Sequence, residues 1–84
     1  MATGETIVTI ILPEESYSWE IDGAITKLAL SYDGDWYSSA EPNTDGSRNI
    51  NTLIPDIKVE DFKGAVFTML ATEYKILSAQ IIER

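Results

Sequence analysis

Ser16-Tyr17-Ser18-Trp19-Glu20-Ile21-Asp22-Gly23-Ala24-Ile25-Thr26-Lys27-Leu28-Ala29-Leu30-Ser31-Tyr32 is the stretch on which the fold turns. Tyr17, Trp19 and Ile21 alternate with Ser18, Glu20 and Asp22, the period of a half-buried strand whose acidic residues face outward. Asp22-Gly23 follows, a dipeptide suited to the two-residue type I′ turn. Such a turn sets Ile21 opposite Ala24, Trp19 opposite Thr26 and Tyr17 opposite Leu28, and puts Tyr17, Trp19, Ile21, Ala24, Leu28 and Leu30 on one face. Pattern and turn chemistry therefore agree on a hairpin, with Trp19 in the core. A helix over residues 24–32 competes, with Ile25, Leu28 and Ala29 on one stripe and Asp22 as its cap.

Upstream, Thr6-Ile7-Val8-Thr9-Ile10-Ile11-Leu12 is rich in β-branched residues and apolar on both faces, which predicts an interior strand ended by Pro13. Downstream, Asp33-Gly34 is a second turn signal, and Trp36-Tyr37 opens a further strand; two successive hairpins make a meander. Residues 38–51 are polar and turn-rich and read as a long surface loop, after which Pro55 interrupts a short apolar segment, 50–54. Phe62, Val66, Met69, Leu70, Tyr74, Leu77 and Ile81 then recur every three or four residues, the spacing of an amphipathic helix beginning near Val59. The expected architecture is α+β, a small antiparallel meander covered by a C-terminal helix. Gly64, together with the β-rich stretches Val66-Phe67-Thr68 and Ile76-Leu77, keeps a small all-β barrel as the alternative.

With 84 residues, 44% of them hydrophobic, the chain is expected to form one globular domain, 1–84. It contains neither cysteine nor histidine, which excludes disulfides, thiolate chemistry, cysteine-bound zinc and the commonest neutral-pH base. The N-terminus carries no basic region ahead of its short apolar run, so it reads as neither a secretory signal nor a span, and a cytoplasmic location fits. The net charge of -8 is unevenly spread: residues 1–46 hold nine acidic residues against Lys27 alone, and residues 47–84 hold five of each sign. Such a half repels phosphate backbones and anionic membranes and steers basic partners toward itself.

Glu41, Asn43, Asp45, Ser47 and Asn49 place oxygens at the spacing that opens an EF-hand-type calcium loop, with Gly46 at the turn. The resemblance covers about half the motif. Thr52 stands where the bidentate Glu belongs and Arg48 where an apolar residue belongs, so the expectation is a solvent loop with no metal. No pair among Glu14, Glu15, Glu20, Asp22, Asp33 and Asp35 is spaced to separate an acid from a base, and no phosphate loop or catalytic triad is present; neither enzyme activity nor a cofactor is expected.

Tyr17, Trp19, Tyr32, Trp36 and Tyr37 lie inside the acidic half, and Trp36 and Tyr37, adjacent in a strand, must point to opposite sides. The expected function is non-catalytic protein binding through Glu14, Glu15, Glu20, Asp22, Asp33, Asp35, Trp36 and Tyr37, directed at a basic surface. In its sharper form this surface imitates nucleic-acid phosphates and inhibits a nucleic-acid-binding protein. The alternative is an assembly subunit that self-associates through a sheet edge or the C-terminal segment.

Overall fold

The computed structural model describes residues 4–39 and 42–84. Strand β1 (Glu5–Leu12) leads through a 3₁₀ turn (Glu14–Ser16) into helix α1 (Trp19–Ser31) and edge strand β2 (Asp35–Ser39). Strand β3 (Arg48–Pro55) follows, then a 3₁₀ turn (Asp56–Lys58), helix α2 (Val59–Glu73) and strand β4 (Gln80–Glu83). The four strands form one sheet in the order β2-β3-β1-β4, antiparallel at every pairing. This βαββαβ arrangement is the split βαβ topology of ferredoxin-like folds, a scaffold that hosts many unrelated functions and so decides none.

β1 is interior, as its two apolar faces require: Ile10 faces Ile50 of β3 on one side and Ile81 of β4 on the other. Alternation sends Val8, Ile10, Leu12, Ile50 and Ile54 into a core completed by Ile21, Ile25 and Ala29 of α1 and Val59, Phe62, Val66 and Leu70 of α2. Both helices cover this face of the sheet. The α+β class, the antiparallel sheet and the helix starting at Val59 stand as expected. The barrel does not, because the sheet ends at β2 and β4 without closing.

The hairpin over residues 17–30 is overturned. Ser18, in extended backbone, caps α1 by accepting the Ile21 N–H through its hydroxyl at 3.2 Å, and Glu20 and Asp22 place negative charge on the positive end of the helix dipole. Ile21, Ile25 and Ala29 then bury at helical spacing. The two-residue alternation stops at Ile21, whereas the helical stripe runs on for two more turns, so burial favours the helix. Gly23 lies within it at a propensity cost of about 1 kcal/mol. The competing helix of the sequence reading is thus the right element, capped four residues earlier than Asp22.

Three smaller differences have local causes. The loop shortens because β2 continues to Ser39 and β3 begins at Arg48. Pro55 ends β3 instead of breaking it. Helix α2 stops at Glu73: Lys75 takes a left-handed conformation (φ 58°) and the Ile76 N–H returns to the Leu70 carbonyl, so Leu77 is exposed and Ile81 joins β4.

Candidate functional site: an aromatic cleft with an acidic margin

The first turns of α1 and the start of β2 face each other across a cleft of about 450 Å³. Trp19 and Trp36 stand on it, with Gly23 and Thr26 from α1, and Tyr17 and Arg48 behind. Trp19, Gly23 and Thr26 share a helix face at spacings of four and three, and Trp36 points to the helix-covered side because it pairs with Thr52. Gly23 lines the slot, and the space beside it is open, since a Cβ there would meet nothing within 4 Å.

Trp19 is 87% exposed, which corrects the expectation that it packs in the core. It is the first residue of α1 and lies off the Ile21, Ile25, Ala29 stripe. Trp36 is 43% exposed and Tyr37, beside a bulge in the β2–β3 pairing, 57%.

The back of the cleft is fixed by a chain of polar contacts. The Tyr17 hydroxyl donates to Asp22 Oδ2 at 2.7 Å, and the Arg48 guanidinium lies over the Tyr17 ring, 4.4 Å from its centroid. Arg48 forms no ion pair among the described residues, and its Nε is buried without a hydrogen-bond partner. Donation to Asp22, then burial and the Asp22 charge, raise the Tyr17 pKa above its ordinary value, with Arg48 opposing them. A raised phenol pKa stabilises the folded chain below pH 10, and that contribution is lost as pH climbs through the folded value. Tyr17→Phe is therefore expected to cost about 0.5–1.5 kcal/mol at neutral pH. The gap between variant and wild type should shrink above pH 10, measured by urea unfolding at neutral and alkaline pH; a gap that widens there would contradict the pairing.

The acidic residues divide into two groups. Glu14 and Glu15 are exposed on the 3₁₀ turn ahead of α1, and Glu20 and Asp22 lie in its first turn, so these four share the Trp19 end of the helix. Asp33 is beyond the other end of α1, which is about 20 Å long, and forms an ion pair with Lys58. Asp35 opens β2 and accepts the Trp36 N–H at 2.9 Å. Asp33 is accordingly separated from the cleft, whereas Tyr17, Trp19 and Arg48 join it although the sequence did not select them.

The oxygens of the calcium-like loop are engaged with one another. Asp45 Oδ1 accepts from the Ser47 N–H (2.9 Å) and hydroxyl (2.6 Å), bonds that lower its pKa, and Asn43 Nδ2 donates to Ser47 Oγ and Asn49 Oδ1. Glu41 lies outside the described residues. Among the described residues no three acidic side chains gather as a metal site would require, and no helix is long and apolar enough to cross a membrane. Comparison with protein-family models finds no match, and comparison with the curated proteins finds none.

Proposed function

We propose that this chain is a non-catalytic, cytosolic protein-binding module that anchors a partner in the Trp19–Trp36 cleft and attracts it through the acidic margin around the start of α1. The observation that carries this reading is Trp19, 87% exposed at a helix start, with Trp36, 43% exposed, on the same cleft. Leaving a tryptophan in water forgoes about 1.5–3 kcal/mol of burial. Trp, Tyr and Arg are the residue types that dominate interface hot spots, and Trp19, Trp36, Tyr17 and Arg48 supply all three types at one cleft. Glu14, Glu15, Glu20 and Asp22 supply a field that speeds the approach of a basic surface. In the sharper form, that basic surface is one that otherwise meets phosphate, and the chain acts as its inhibitor.

The test uses the chain as bait in extract of its native source, followed by surface plasmon resonance with the captured protein. Trp19→Ala is expected to leave folding intact and to speed dissociation about 10–30-fold. Glu14→Gln/Glu15→Gln should instead slow association, most at low salt, where screening is weakest. Displacement of the captured protein by duplex DNA or RNA would support the inhibitory form. Identical rates for both folded variants across the salt series would place the interface elsewhere.

A further inference from the structure

The cleft between α1 and β2 selects the chemistry of what enters it. Two of its walls are indoles: Trp19 on the first turn of α1 and Trp36 on β2 both line it. Among the described residues the one ring-to-ring contact is that of Tyr32 with Phe62, so the indoles do not stack on each other and the space of about 450 Å³ that they flank stays open. The hydroxyls beside it have spent their protons on Asp22. Tyr17 donates to Asp22 Oδ2 at 2.7 Å, and Thr26 donates to the Asp22 carbonyl at 3.0 Å. Each hydroxyl is left with its oxygen lone pairs, and a carboxylate accepts only, so Tyr17, Asp22 and Thr26 together offer acceptors to whatever fills the cleft. Arg48 balances the Asp22 charge within the lining, and the exposed Glu14, Glu15 and Glu20 at the margin make the surroundings negative.

Resting on the reading of this cleft as the partner's anchor, we propose that the group it holds is an arginine side chain of that partner, with its guanidinium laid against Trp19 and Trp36. A guanidinium carries a positive charge and N–H donors without an acceptor, and it is planar and weakly hydrated, so it stacks on indole faces while its edge donates to oxygens. The chain makes the same kind of contact with itself: the Arg48 guanidinium lies over the Tyr17 ring, 4.4 Å from its centroid. That contact occupies Tyr17 and leaves two indoles rather than a closed box of rings, which favours a flat cation over a quaternary ammonium. A lysine ammonium is a compact, strongly hydrated charge and loses more on leaving water. An acidic side chain has only Arg48 to meet, against the field of the surrounding carboxylates. Arginine is also the side chain with which a phosphate-binding surface makes bidentate contacts, which joins this occupant to the inhibitory form of the function.

The chain has two tryptophans, so an NMR titration of the full chain reads the cleft through two indole N–H signals. The probe is N-acetyl-arginine methylamide at about 150 mM salt, where the distant field is largely screened. Both signals are expected to shift and to saturate with a Kd of about 1–10 mM. The citrulline analogue, flat and of the same shape but uncharged, should bind at least about 5-fold more weakly, and the lysine analogue at least about 2-fold. Trp19→Ala and Trp36→Ala should each weaken the arginine probe at least about 3-fold. Trp19, 87% exposed, carries the test should Trp36→Ala fail to fold. Citrulline equal to arginine, tighter binding of the glutamate or phenylalanine analogue, a shift confined to one indole, or no saturable shift would overturn the proposal. If the captured partner still leaves faster on Trp19→Ala in any of these cases, the anchor stands and only its guanidinium occupant falls. Arginine binding with partner rates indifferent to Trp19→Ala would overturn the anchor instead.

Discussion

Replacing Gly34 by alanine is expected to destabilise the chain by about 2–4 kcal/mol and lower its melting temperature by about 10–25 °C. The cause is the way α1 ends. Asp33 takes a left-handed conformation (φ 61°), its N–H donates to the Leu30 carbonyl, and the Gly34 N–H donates to the Ala29 carbonyl at 2.9 Å. That reversal presses Gly34 onto β3. A Cβ there would lie 2.6 Å from the Leu53 carbonyl oxygen and 2.5 Å from Ile54 Cδ1. Leu53 is held within β3 between β1 and β2, and Ile54 is buried, so neither can withdraw without disturbing ladder or core. Gly64→Ala is the matched control: its Cβ meets nothing within 4 Å on an exposed face of α2, and helix propensity predicts a gain of up to about 1 kcal/mol. Thermal unfolding of the two variants should move in opposite directions. A Gly34→Ala midpoint equal to wild type would mean that the α1–β3 approach is looser than these distances require.

What the sequence showed of this fold follows from how uniquely each pattern was read. β1 was legible because seven successive residues, 6–12, are β-branched or apolar, and two-sided burial is the only use for them. The start of α2 was legible because Phe62, Val66 and Leu70 repeat at one spacing with no rival of equal length. The 17–32 stretch misled because the residues around Ile21 satisfy both periods, and Asp22-Gly23 is a hairpin signal only when the chain there is extended. Ser18, an N-cap three residues before Ile21, was the available contrary signal. The site suffered from the same error. A two-residue period puts Tyr17 and Trp19 on the inner face of a strand and so away from the surface, and Arg48 departs from the pattern of a calcium-like loop. Its stacking on Tyr17 needs β3 and the start of α1 brought together by the sheet, and no local pattern encodes that. Alternation in a strand requires only that at least one of Trp36 and Tyr37 be exposed; that both are, at 43% and 57%, follows from their place on the edge strand β2.

Phe62→Ala is expected to cost about 3–5 kcal/mol, against a total stability of about 4–13 kcal/mol for a chain of this length. Phe62 is fully buried, and its ring meets Tyr32 edge to face at 5.9 Å between centroids, which joins α2 to the end of α1. Removing it opens a void where the two helices and the sheet meet, and a small core has little spare material with which to fill it. The cleft depends on this distant contact, since Trp19 and Gly23 are placed by α1 and α1 is anchored by its buried stripe and Tyr32. Phe62→Ala should therefore lose partner binding together with folded structure, whereas Trp19→Ala should lose binding alone. Urea unfolding followed by near- and far-ultraviolet circular dichroism distinguishes them. For Phe62→Ala both signals should shift together to a much lower midpoint, and Phe62→Leu, which refills part of the volume, should recover more than half of the loss. Should Phe62→Ala melt within about 1 kcal/mol of wild type, the α1–α2 contact would be dispensable, and the cleft would owe its geometry to the strands alone.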